Sequence, residues 1–149
     1  MGDGPTFYER TAIQMEFVVP LLRDLQAILG EETVNAALAE RLRRQLAQAR
    51  EAKAPPGDPR KLAEGTETYA AGDALDYEIL ACDEERFDMN VTRCQYTALM
   101  ERLQARDLGP LLVCGADFAM AERAGLELVR TQTCMQGASH CDFRYRKRG

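Results

Sequence analysis

The chain contains no tryptophan, a single histidine and a single serine. The lone serine, Ser139, confines any serine-based triad to the small-residue turn Gly137-Ala138-Ser139, which lacks the strand–turn–helix context of a nucleophile elbow. The lone histidine, His140, confines imidazole chemistry to the same turn. There is no GxGxxG, no P-loop and no strand followed by a glycine-rich phosphate turn, so no nucleotide cofactor is expected. No apolar run reaches the ~18 residues that would suit a membrane span, and MGDGPTFYER has neither the basic nor the apolar part of a secretory signal. Five cysteines, an odd number without disulfide-framework spacing, predict free thiols and a reducing cytoplasm. Basic excess is missing too: 19 basic residues stand against 24 acidic ones, for a net charge of −5. The two signs interleave until the terminal Arg144-Tyr145-Arg146-Lys147-Arg148, so nucleic acid is not an expected partner. Internal repeats and low-complexity tracts are absent as well.

What is present fits one domain of 149 residues. From Tyr8 to Leu29 apolar residues recur at helical spacing, with Pro20 inside the run predicting a kink or two abutting helices. Gly30 is a natural stop, and Val34, Ala37, Leu38, Leu42, Leu46 and Ala49 mark the stripe of a second helix. The prolines and glycine of 54–61 predict a linker between this helical N-terminal half (1–53) and a mixed half (62–149). The helical half is too small and one-sided to close a core alone. Its stripes suit either packing on a sheet or a homo-oligomer surface.

Beyond a short helix at Leu62–Ala71 the period drops to two. Leu75, Tyr77 and Ile79 alternate with Asp76, Glu78 and Leu80, and after Asp83-Glu84-Glu85 the run RFDMNVTR alternates again, predicting an antiparallel hairpin. Phe87, Met89, Val91 and Arg93 fall on one face. Helical spacing returns over Cys94–Arg106, with Tyr96, Ala98, Leu99 and Leu103 inward; LLVCGADFAMAERAG reads as one helix or two short ones. A last hairpin, Leu126–Arg146, completes an α+β layout in which helices pack on an antiparallel sheet of about four strands.

That last hairpin carries the most suggestive side chains. Leu126, Leu128, Arg130 and Gln132 share a face, so Arg130 interrupts an apolar row much as Arg93 ends one. A charge facing a core requires a partner or a ligand. Two guanidiniums beside a cavity suit a carboxylate-bearing ligand; equally, each suits a structural ion pair, with Asp117, Asp142 or Glu127 available. Cys141, Phe143 and Tyr145 share one face of the second run, with Asp142, Arg144 and Arg146 on the other. Cys141 beside His140 invites thiol chemistry, against the commoner fate of a buried, inert cysteine. Cys94, Cys114, His140 and Cys141 can also be assembled as a Cys₃His zinc set, although their spacing matches no compact zinc module.

The stretch VTRCQY, then Leu108-Gly109 with Leu112 to Cys114 and Asp117, then RTQTCMQGASHCDFRYR, resembles the L-2-amino-thiazoline-4-carboxylic acid hydrolase family over about Gly72 to Arg146. Cys134 replaces an aliphatic residue of that pattern, and Pro110 departs from it in the Leu-Gly segment. The resemblance implies a core like the vinyl-4-reductase type of ligand-binding domain. It also implies a hydrolase of small-molecule catabolism, opening a C–N bond in a small carboxylated heterocycle such as a cyclic amidine or lactam. The expected roles are Cys141 as nucleophile or orienting thiol, His140 or Asp117 as proton carrier, and Arg93 and Arg130, with Arg144 as a weaker candidate, as carboxylate ligands. No cofactor is expected. The alternative is a domain of the same shape that binds its ligand without turning it over.

Overall fold

The structure, a computed structural model, describes residues 4–149. It is the expected α+β arrangement, with helices first and then an antiparallel sheet of four strands. Helix α1 spans Phe7–Leu29. Its start is fixed by a capping box, in which the Thr6 hydroxyl accepts from the Glu9 backbone and the Glu9 carboxylate accepts from the Thr6 backbone. Pro20 lies inside one continuous helix rather than splitting it. Gly30, at φ +95°, ends α1 and lets α2 (Glu31–Glu51) begin at once. Helix α3 runs Pro59–Ala70, three residues earlier than the apolar spacing predicts, because Asp58 caps it and Pro59 occupies the first turn.

Strands β1 (Leu75–Cys82) and β2 (Arg86–Cys94) form the expected hairpin, followed by α4 (Gln95–Arg102). In α4 Tyr96, Leu99 and Met100 are buried, whereas Ala98 faces solvent. A π turn at Pro110–Cys114 leads directly into α5 (Ala116–Arg123). Strand β3 (Leu126–Val129), a 3₁₀ turn at Cys134–Gln136 and β4 (Cys141–Lys147) close the fold. The sheet order is β1-β2-β4-β3, every neighbour antiparallel, so the C-terminal strand lies in the middle.

One irregularity decides what reaches the interior. Asp76 pairs with Arg93, but Tyr77 pairs with Val91, leaving Thr92 as an extra residue on β2. A bulge of this kind inverts the alternation beyond it. Phe87, Met89 and Val91 face inward as expected, but Cys94 takes the next inward position and Arg93 turns out. A second shift sits on β1 between Ile79 and Ala81.

Two apolar clusters result. Met15, Val19, Leu22, Val34, Leu99 and Leu108 join α1, α2, α4 and the 3₁₀ turn Arg106–Leu108. Phe87, Leu126, Leu128, Ala121 and Tyr145 join the sheet to α5. The predicted linker is pinned rather than loose: Gly57 N–H donates to the carbonyl of Gly125 at 3.0 Å, at the corner between α5 and β3. Among the described residues no helix is long and apolar enough to cross a membrane.

Candidate functional site

Between the inner face of the sheet and helices α3 and α5 lies a cavity of about 400 Å³. That volume suits a single small molecule. Its walls are mostly apolar and aromatic, and three of its lining residues carry charge: Asp117, Arg123 and Arg130. Of the lining residues, Ala116 and Arg123 are exposed, which marks the mouth at α5.

The π turn sets the far wall. Gly115 N–H donates to the Pro110 carbonyl at 2.8 Å, one residue wider than an α-helical bond. Val113, Cys114, Ala116 and Asp117 all reach the cavity from this widened segment. A side chain at position 115 would collide with the Pro110 carbonyl and with Leu42 of α2, so the glycine permits the close helix approach.

Asp117 and Arg130 form the polar centre. Arg130 Nη1 donates to Asp117 Oδ2 at 2.7 Å, and Nη2 donates to the Cys114 carbonyl at 3.1 Å. The guanidinium carbon lies 5.0 Å from the ring centre of Phe118 and 5.2 Å from that of Phe143. The Arg130 side chain retains 7% of its surface and Asp117 retains 27%, which faces the cavity. Burial pushes the Asp117 carboxyl above the ordinary aspartate range, and the pull of Arg130 offsets this only in part. The pair is thus the ion pair that an interrupted apolar row calls for, placed where a ligand would meet it.

Cys141 opens β4 at the cavity wall, buried, with its Sγ accepting from the Cys134 N–H at 3.2 Å. Burial pushes its thiol up to about 12, and that of Cys114 also up to about 12, so both rest protonated near neutrality. The hydroxyl of Tyr96 donates to the Tyr69 carbonyl at 2.9 Å, and burial raises the pKa values of Tyr69, Tyr96 and Tyr145.

The other expected residues lie elsewhere. Arg93, turned out by the bulge, is held by Asp73 at 2.7 Å and Asp76 at 2.8 Å. Arg144, on the outer face of β4, donates to the Met89 and Phe143 carbonyls and to Asn90 Oδ1. It does not pair with Asp142. His140 contacts Ser139 Oγ at 2.9 Å and Gln132 Nε2 at 3.4 Å, and is not part of the cavity lining. The reason is its place just ahead of β4, where adjacent side chains diverge. His140 is therefore separated from Cys94, Cys114 and Cys141, which line the cavity. Among the described residues no three His, Cys, Asp or Glu side chains are grouped so as to hold a metal ion.

Arg123 does not stand out in the sequence pattern, because it ends an ordinary polar stretch and interrupts no apolar row. The signal that finds it is its spacing from Asp117 and Met120, three residues apart along one face of α5. Unlike Arg130, it forms no ion pair with a described residue.

Asp142 supports the site from outside. Its carboxylate accepts from the Thr131 and Gln132 backbones at 2.8 and 2.9 Å and from the Thr131 hydroxyl. Burial alone would raise its carboxyl, but these bonds outweigh it and hold it below the ordinary aspartate range. Asp142→Ala should cost about 2 kcal/mol, since it removes bonds to a charged acceptor. The carboxylate's contribution is present above the ordinary aspartate range and lost as pH falls through the lowered value. Denaturant titrations at pH 3 and pH 6 should therefore show the wild type approaching the variant only in acid.

The sequence pattern of a family described as L-2-amino-thiazoline-4-carboxylic acid hydrolase matches residues 10–145. No curated protein matches the chain.

Proposed function

The chain belongs to the L-2-amino-thiazoline-4-carboxylic acid hydrolase family, and from that premise we propose that it hydrolyses a small carboxylated nitrogen heterocycle inside the cavity. The observation that carries this reading is the wall itself: an enclosure for one small molecule, mostly apolar and aromatic, whose only charged groups among the described residues are a carboxylate, its guanidinium partner and a free guanidinium at the mouth. Apolar walls hold the ring, and the few charged groups orient it.

Arg123 takes the substrate carboxylate, because its charge is unspent, whereas Arg130 is engaged by Asp117. Asp117 activates water. The water oxygen bonds to the electrophilic ring carbon as that carbon's C=N or C=O π pair moves onto the nitrogen or oxygen, and the water's proton passes to the Asp117 carboxylate. When the pair returns to re-form the double bond, the ring carbon expels its leaving nitrogen or sulfur, which takes that proton back from Asp117 as the ring opens. A carboxylate held above its ordinary range is well placed for both transfers near neutral pH. Arg130 keeps the carboxylate aimed and faces the negative charge that develops. Cys141 borders the ring as an orienting thiol, its resting protonated state favouring water over sulfur as the attacking group.

The test is incubation of the purified protein with cyclic amidines, lactams and hydantoins, the aminothiazoline carboxylate included, followed by mass analysis. A ring-opened product from any member supports the reading. Intact compounds, with one of them raising the melting temperature, would instead establish a binding domain. Arg123→Met should raise KM about tenfold to a hundredfold with little change in kcat, because it removes a charged contact made equally in ground and transition states. Equal KM values for acid and methyl ester substrates in the variant would check the assignment.

A further inference from the structure

Helix α1 leaves an apolar stripe uncovered. Ile13 is 63% exposed, Phe17 75%, Leu21 45% and Ile28 77%. These four share that side of the helix with two charged residues, Arg10 and Asp24. At 100° per residue, all six fall within an arc of about 80°. The opposite side, with Met15, Val19 and Leu22, is the one buried in the protein.

The order of the six is what identifies the occupant. Centred on Phe17, an antiparallel copy of α1 sets Phe17 against Phe17 once, on the axis, and Ile13 against Leu21 and Arg10 against Asp24 twice each. That reciprocity is the rule for a two-fold interface, in which a patch is complementary to itself. A parallel copy would set Arg10 against Arg10 and gain nothing. Arg10 rests 5.9 Å over the Phe7 ring, and neither Arg10 nor Asp24 forms an ion pair with a described residue. Glu16, which flanks the stripe, is engaged with Arg102 at 3.5 Å and does not oppose the arrangement. A helix of 23 residues is about 35 Å long, enough to carry the contact over several turns.

We propose that α1 is the two-fold dimer surface of this protein, with the occupant of the stripe a second copy of α1 running antiparallel and the Arg10–Asp24 pairs fixing its direction. The cavity mouth, at Ala116 and Arg123 on α5, lies on an element other than α1 and is not needed for the contact.

Sedimentation equilibrium on the full chain tests this, with the melting temperature recorded for each variant. The wild type should be dimeric in the micromolar range, and Phe17→Glu should be monomeric at the same concentrations with an unchanged melting profile at the lowest protein concentration. Arg10→Asp and Asp24→Arg should each weaken association about tenfold or more, since each sets like charges face to face. The double variant R10D/D24R restores opposite charges and should recover the wild-type constant to within about threefold. A wild type that stays monomeric up to about 100 μM overturns the proposal. So does a double variant no tighter than the singles, because the antiparallel register would then be wrong.

Discussion

Asp117→Asn should lower kcat/KM about 10²- to 10⁴-fold while leaving the protein folded, the range lost when a positioned general base is removed. Asparagine keeps the size and one acceptor oxygen for Arg130 Nη1 but cannot take a proton from water. The wild-type pH profile provides an independent check. Because the carboxylate form is the active base, kcat/KM should fall as pH falls through the Asp117 pKa. Burial has raised that value, so the acidic limb should lie above the ordinary aspartate range. In the variant that limb should vanish from the residual activity. If the asparagine variant keeps full turnover, the base is not Asp117, and Cys141→Ala becomes the next variant to assay.

Gly57→Ala should produce a large loss of stability from a single added methyl group. The new Cβ would sit 1.8 Å from the carbonyl oxygen of Ala124 and 3.0 Å from its carbon, both backbone atoms that cannot swing aside. The opposing Gly125 is at φ +74°, and a Cβ there would lie 2.0 Å from the Pro55 carbonyl. The two chains thus touch backbone to backbone, and neither position has room for a side chain. Relieving the clash separates the Ala54–Asp58 segment from the α5–β3 corner and breaks the Gly57–Gly125 hydrogen bond. We expect a cost of about 3 kcal/mol, which for a chain of this size lowers the melting temperature by about 10 °C. Gly65→Ala, where added volume meets nothing within 4 Å on α3, is the matched control and should be neutral or slightly stabilising.

These two sites also mark where sequence pattern succeeds and where it stops. The helices α1 and α2 and the hairpin β1–β2 are legible because each has one buried face, and burial imposes its period on the residues. Gly57 belongs to a proline-rich stretch with no period, so its composition gives a break and says nothing of the packing against Gly125. Arg130 is legible for the opposite reason: a charge in an apolar row is an anomaly that folding must resolve, and Asp117 resolves it. Arg93 presents the same anomaly on paper. One extra residue, Thr92, turns it out to Asp73 and Asp76 and delivers Cys94 in its place, and no count along a single strand reveals a bulge set by the partner strand. His140 and Cys141 are adjacent in sequence, yet the beginning of a strand sends them apart. Arg123 breaks no pattern at all, so it becomes visible only when the cavity beside α5 exists.

The sheet ends on one side at β1, a strand of eight residues with one edge unpaired, carrying Ile79 and Leu80 at 47% and 48% exposure. A flat apolar edge of that length is a template for runaway strand addition and insoluble aggregate. The shift between Ile79 and Ala81 gives β1 a local kink just where its apolar side chains are most open. Together with Asp76 and Glu78 along the same strand, that kink spoils the straight ladder an incoming strand would need. The irregularity that looks like a flaw in the hairpin therefore works against edge-to-edge strand addition. Straightening β1 by deleting Leu80 should leave folding stability little changed while shortening the time before concentrated samples turn turbid.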